Sequence, residues 1–217
     1  DLALLAAAEA GEGPFLRLYA WDGPWVSLGY FQKPKSAVDV ARAQASGIGV
    51  VSRPTGGKAL LHDRDLTYSV ALPPGHPLAA LSRVDSYLAL SGRLVAALSE
   101  VGVPATLGPS PENADTTERR RDVPCATEVH VDTVLVRGRK LIGSAQVRRR
   151  GAILQHGSIP LAESPPEVVR ALLPPGQEGT QAWMDWYYDR TTTLEREARP
   201  GVREALEAAL LHAFADL

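Results

Sequence analysis

The sequence predicts an α+β fold, and three observations carry that prediction. Strand-like segments cluster into meanders, the clearest being three short ones between Thr133 and Leu161 joined by tight turns. Helical patterns fall between these clusters rather than after every strand, as a doubly wound sheet would require. Hydrophobic residues make up 45% of the 217-residue chain, enough for a sizeable core.

The elements follow in order. Asp1 to Glu9 is rich in Ala and Leu and reads as the end of a helix. Phe15 to Tyr19 alternates like a strand, and Trp25 to Phe31 follows as another after the turn Asp22-Gly-Pro24. Val38 to Ser46 looks helical. Gly49 to Ser52 and Leu66 to Leu72 are strands around the glycine loop Thr55-Gly-Gly57. Val84, Tyr87, Leu88, Leu94, Val95, Leu98 and Val101 mark one face of a long helix. Residues 108–124 are polar, proline-containing and aperiodic, and read as an exposed loop with Cys125 at its end. Thr133 to Val136, Leu141 to Val147 and Ala152 to Leu161 are strands. Ser164-Pro-Pro-Glu167 opens a helix with proline in the first turn. Val202, Ala205, Leu206, Ala209, Leu210, Ala213 and Phe214 space out a last helix.

Composition narrows the function. A net charge of −2 gives no general attraction to nucleic acid or membranes. No apolar run spans a bilayer, so the cytoplasm is the expected compartment, although a chain beginning at Asp1 without methionine leaves a preceding segment open. A single cysteine, Cys125, excludes an internal disulfide and a cysteine-based zinc cluster. The five histidines show no metal-ligand spacing, so no metal site is expected.

Residues 137–159 hold the most informative chemistry. Among 23 basic residues the lysines are Lys33, Lys35, Lys58 and Lys140, the rest being arginine. Lys140 is followed by a Gly143-Ser-Ala-Gln146 turn and by Gln155-His-Gly-Ser158 on what read as successive strands. Lysine, unlike arginine, can lose its proton when buried. Arg53-Pro-Thr-Gly-Gly-Lys58 sits between two strands, where glycines let backbone N–H groups approach an anion and Arg53 and Lys58 add positive charge. Most such glycine pairs are ordinary turns. His62 and His156 each lie in a glycine-associated turn, where a structural hydrogen-bonding role is the commoner one. A lone cysteine is usually inert. Cys125, however, follows a proline at a loop-to-strand junction, with Arg119 to Arg121 upstream, and nearby cations lower a thiol pKa. The Arg148–Arg150 run suits either an acidic partner or a solvated turn. Trp183, Trp186, Tyr187 and Tyr188 suit packing of the C-terminal helix.

Taken together, the segments from Asp1 to about Leu161 resemble the lipoate–biotin protein ligase and octanoyltransferase superfamily. The resemblance is carried by Asp1-Leu-Ala-Leu-Leu5, Leu16 to Trp21, Ser27 to Gln32, Arg53 to Asp63, and Gly138 to Gln146 with Leu154 to Ile159. It implies a mixed, largely antiparallel sheet flanked by helices, of the biotin/lipoate protein ligase catalytic-domain type, with residues 1–217 as one acyltransferase domain. The ATP-dependent lipoate ligases favour a third glycine where Lys58 stands, and a Gly-Asn that Asp63-Arg-Asp-Leu-Thr-Tyr-Ser69 lacks. The chain looks instead like bacterial octanoyltransferases that keep a catalytic cysteine in the loop before the lysine strand.

That resemblance implies transfer of an octanoyl group from octanoyl-acyl carrier protein to a lipoyl-domain lysine, on the glycine cleavage H protein or a 2-oxoacid dehydrogenase E2. Cys125 would carry the acyl group as a thioester, Lys140 would move protons, and no cofactor would be required. Arg53, Thr55, Gly56, Gly57, Lys58, His62, Gly143, Ser144, Ala145, His156 and Gly157 would bind substrate. An apolar tunnel would involve Leu60, Leu61, Tyr30 and Ile142, and Arg148–Arg150 would steer acidic partners, with no nucleic acid and no membrane involved. The alternatives are an ATP-dependent lipoate–protein ligase, an octanoyl amidotransferase between lipoyl-domain proteins, and a non-catalytic binding module.

Overall fold

Alternation along one strand explains the architecture. The computed structural model describes residues 1–108, 130 and 133–217. Strand β5 (Asp65–Leu72) is buried along its whole length. Leu66, Tyr68, Val70 and Leu72 point to one side, into the main apolar core. Asp65, Thr67, Ser69 and Ala71 therefore point to the other. A strand this buried with one polar face has a polar site to line.

β5 lies inside a six-stranded antiparallel sheet. Its partners are β1 (Phe15–Tyr19) and β9 (Ala152–Pro160); beyond β9 come β8 (Arg139–Arg149), β7 (Val134–Val136) and β6 (Ala105–Leu107). Two helices cover the first face: α5 (Arg83–Glu100) and α9 (Val202–Ala213). Leu90, Leu94, Ala97 and Leu98 recur at helical spacing on α5, and Leu206, Ala209 and Leu210 on α9, burying one stripe each against the sheet. The Ser82 side chain caps α5 by accepting the Asp85 backbone N–H at 3.1 Å. On the second face, α1 (Leu2–Glu9) sets Leu5 and Ala8 against Ala71, Ala152 and Leu154. It covers one end of that face. The other end, with Thr67, Ser69, His156 and Ser158 in register, stays open to the site.

A second, three-stranded sheet faces that open end: β2 (Trp25–Leu28) between β3 (Gly49–Ser52), parallel, and β4 (Leu60–His62), antiparallel. Val26, Leu28 and Leu61 turn into a second core. That core includes Ala43 of α3 (Val40–Ala45), Val169 of α6 (Pro166–Val169), Leu172 of the following 3₁₀ turn, and Met184 of α7 (Gln181–Arg190). Asp39 caps α3 by accepting the Arg42 N–H. Among the described residues there are also the short helices α2 (Pro34–Ala37), α4 (Pro77–Ala80) and α8 (Leu194–Glu197).

The mixed, largely antiparallel α+β expectation holds, and so do β1, β3, β5, the long helix and the last helix. Three details differ. The strand beginning at Trp25 ends at Leu28, because Gly29 turns the chain against the glycine loop. The Gly143-Ser-Ala-Gln146 segment is the middle of β8 rather than a turn, and His62 and His156 are strand residues. The aromatic residues 183–188 lie on α7, where Trp183, Tyr187 and Tyr188 pack on the second core rather than on the C-terminal helix.

Candidate active site

The space between the two sheets is a cavity of about 630 Å³. Trp25, Ser27, Leu60 and His62 line it from the small sheet; Tyr19, Thr67, Gly143 and His156 line it from the large one. Trp21 stacks on the His62 ring at 4.3 Å and donates its indole N–H to Thr67 Oγ1 at 3.0 Å. The stacked pair is an apolar wall whose polar edges are all satisfied.

Directed hydrogen bonds fix both histidine tautomers. Asp65 Oδ2 lies 2.9 Å from His62 Nδ1, and a carboxylate only accepts, so Nδ1 carries the proton. His62 Nε2 then accepts from Ser27 Oγ at 2.8 Å, and that hydroxyl accepts from Arg53 at 3.1 Å. By the same reasoning His156 donates from Nδ1 to Asp1 Oδ2 at 2.7 Å and accepts at Nε2 from the Thr55 hydroxyl at 2.6 Å. Burial, then the charge of Arg53, push the His156 pKa down to about 3, so its ring is neutral.

Lys140 is 6% exposed and lies beside the main cavity rather than in its lining. It lines a smaller cavity of about 60 Å³ that shares Leu60 and Gly143 with the larger one. Its placement depends on a bulge. Val134 pairs with Ile142 but Leu135 pairs with Lys140, so Leu141 is an extra residue in β8. Regular alternation would send Lys140 the way of Ile142, toward α5. The extra residue turns it onto the face of Gly143 instead. A Cβ on Gly143 would sit 2.9 Å from Lys140 Cε and 3.1 Å from Nζ, so the glycine leaves room for the amine. Gly157 is equally confined, by the Gly143 carbonyl and the Tyr68 ring, each 2.7 Å from where its Cβ would be.

Of the expected substrate-binding residues, Arg53, His62, Gly143, Ser144, Ala145, His156 and Gly157 line the main cavity. Thr55, Gly56, Gly57 and Lys58 line neither cavity. A Cβ on Gly29 would fall 1.9 Å from the Gly57 carbonyl, so the glycine loop uses its close approach on the chain itself. Arg53 is committed inward: its guanidinium donates to the carbonyls of Ser27, Gly56 and Lys58, at 2.8, 2.9 and 2.7 Å, and clamps that loop. The expected tunnel is corrected in part. Leu60 lines both cavities and Leu61 the small one, but Ile142 is in the main core on the α5 side, and Tyr30 is 67% exposed on the turn after β2. Of Arg148–Arg150, Arg148 is taken up within the fold while Arg149 and Arg150 stay at the surface. Arg148 donates to the carbonyls of Ala79, Leu81 and Ser82 and to Ser86 Oγ, while Arg149 and Arg150 pair with Glu9. Cys125 and Arg119–Arg121 lie outside the described residues.

Sequence reasoning missed Trp21, Ser27, Asp65, Thr67 and Ser158 as site residues. The period-two run Asp65, Thr67, Ser69 inside an apolar strand was the available signal. Among the described residues, no group of three or more His, Cys, Asp or Glu is placed to hold a metal ion, and no helix is long and apolar enough to cross a membrane.

Comparison with known proteins fits this geometry. The chain is 38% identical over 219 residues to octanoyltransferase LipM of Kyrpidia tusciae, an alignment spanning 100% of this chain and 80% of the relative. Octanoyltransferase LipM of Moorella thermoacetica is 37% identical over 88% of this chain and 70% of its own length. Among solved structures, lipoate-protein ligase A bound with ATP superposes with a TM-score of 0.78 at 22% identity, covering 100% of this chain and 77% of that one. The catalytic domain of lipoyl protein ligases A/B matches residues 1–215, and the chain belongs to that family.

Proposed function

We propose that this protein is an octanoyltransferase of protein lipoylation, taking an octanoyl group from acyl carrier protein and passing it, through a thioester on Cys125, to a lysine of a lipoyl-domain protein. One observation carries the reading: a large, mainly apolar cavity adjoins, at Gly143, a small one lined by Asp65, Thr193 and the buried Lys140. The naming of relatives that match most of the chain as octanoyltransferases supports it. Seven carbons beyond the carbonyl, at about 0.8 kcal/mol each, give roughly 6 kcal/mol of burial to hold the chain.

In the first half-reaction the Cys125 thiolate attacks the carrier thioester. A new C–S bond forms, the carrier C–S bond breaks, and the carrier thiolate takes a proton. In the second half-reaction the acceptor lysine attacks, a C–N bond replaces the C–S bond, and the enzyme thiol is regenerated. A thiolate suits both steps because it attacks and departs well. Lys140 moves the protons. The thioester supplies the activation, so no nucleotide is needed, and the engagement of Arg53 with three carbonyls favours this over adenylate binding.

The test is intact-protein mass after mixing with octanoyl-acyl carrier protein in the absence of ATP. The parent should gain one octanoyl group and lose it to a lipoyl domain, and Cys125→Ala should gain none. Lysine modification that appears only with ATP and free octanoate would assign the chain to the ligases instead. Lys140→Ala should slow transfer by about 10²–10⁴-fold, the usual worth of general acid–base catalysis.

A further inference from the structure

The small cavity contains acceptors that neither the fold nor the acyl chain uses. The Asp65 side chain is 3% exposed. Its Oδ2 takes three hydrogen bonds, from His62 Nδ1, from Ser158 Oγ at 2.5 Å and from Thr67 Oγ1 at 3.2 Å. Its Oδ1 is buried with no hydrogen-bond partner. Thr193 Oγ1 is in the same condition. Asp65 and Thr193 both line the small cavity and neither lines the large one. A buried carboxylate oxygen without a donor is costly, and its presence beside a cavity marks a place for a donor to arrive.

Size and charge specify that donor. About 60 Å³ admits a few water-sized groups and no eight-carbon chain. Asp63 and Glu163 also line the cavity, Glu163 paired with Arg196, so its acidic groups outnumber Lys140. A primary ammonium offers three donors and no acceptor, the complement of a carboxylate oxygen and a hydroxyl.

We propose that this cavity is the acceptor subsite: it receives the ammonium of the incoming lysine, with Asp65 Oδ1 and Thr193 Oγ1 as its acceptors. The assignment rests on the transferase reading above. Leu60 and Gly143 line both cavities, so the two adjoin there and an amine entering the small one arrives beside an acyl group seated in the large one. The ammonium gives one proton to the Asp65 carboxylate, the free amine forms the C–N bond as the C–S bond breaks, and Lys140 passes the second proton from the nitrogen to the departing thiolate.

Two variants test this. Asp65→Asn keeps a carbonyl oxygen for His62 and presents an amide NH₂ to the cavity. Thr193→Val removes the hydroxyl at constant shape. Loading from octanoyl-acyl carrier protein and discharge to a lipoyl domain are measured separately in single turnovers. Discharge by Asp65→Asn should fall about 10- to 100-fold relative to loading, the worth of a charge-assisted hydrogen bond, and by a smaller factor in Thr193→Val. Equal loss in both half-reactions would mean that Asp65 acts through Lys140 or the fold, and no loss in either would also overturn the subsite. A parent that never loads would refute the transferase reading instead. The subsite is then judged by n-butylammonium binding to the unloaded protein, followed by NMR: binding lost in Asp65→Asn supports it, and equal shifts in both proteins overturn it.

Discussion

At the scale of single residues, the site is set by which groups hold protons and which glycines leave space. His156 is neutral because burial and the nearby Arg53 guanidinium hold its pKa at about 3, below the ordinary 6.5. Its contribution to stability is therefore complete above pH 6.5 and is lost as pH falls toward about 3, where protonation would break the bond accepted from Thr55. Over that window the parent should lose up to about 1.4 kcal/mol per pH unit from this group. His156→Gln, which cannot ionise, should show a shallower slope in denaturant unfolding between pH 7 and pH 4. An unchanged slope would mean that the ring is not the titrating group. Gly143 is a different kind of control. A methyl there meets the end of a flexible lysine rather than backbone, so Gly143→Ala should fold, with a melting temperature close to the parent's, yet displace the Lys140 amine. Transfer should fall about 100-fold or more, toward the value for Lys140→Ala. Full activity would show that the amine does not need that position.

At the scale of elements, two devices aim the chemistry, and they differ in how readable they are. The alternation that makes β5 two-faced is written in the sequence, as are the stripes of α5 and α9. The core, the antiparallel sheet and the lysine strand were legible for that reason. The bulge in β8 was not, because Leu141 looks like any strand residue until its pairing with β7 is known. Asp65 was hidden for a similar reason: its importance depends on β9, which delivers Ser158 from a distant part of the chain, and on the β4–β5 turn, which folds His62 back onto it. A guanidinium near glycines suits an anion in the abstract, but nothing in the sequence signals that three carbonyls also engage Arg53 at the cavity wall. That clamp is testable. Lysine cannot reproduce the planar fork, so Arg53→Lys should cost about 1–3 kcal/mol in equilibrium unfolding, through the carbonyls left without a donor. It should also raise hydrogen exchange in residues 54–58. A variant as stable as the parent would mean that the loop holds itself.

At the scale of the whole molecule, the cavity is the seam between two separately packed bodies. The main core lies between the six-stranded sheet and α5 with α9; the second core lies behind the three-stranded sheet, against α3, α6 and α7. Between them the seam is lined by side chains from both sheets, including the Trp21–His62 stack. An acyl chain seated there would fill the space and touch both bodies, and a group bound only by the folded state stabilises it. Each added methylene buried in the seam should then contribute about 0.8 kcal/mol. Protein loaded with butanoyl, hexanoyl or octanoyl groups should unfold at rising denaturant concentration, by about 1.6 kcal/mol for every two carbons, until the chain outgrows the cavity. Trp21→Ala removes an indole from the wall, so the length at which the gain stops should move to longer chains. If stability is independent of chain length in both proteins, the acyl group lies in solvent and the seam has another purpose. A gain that stops at the same length in both would place the chain along a wall other than Trp21.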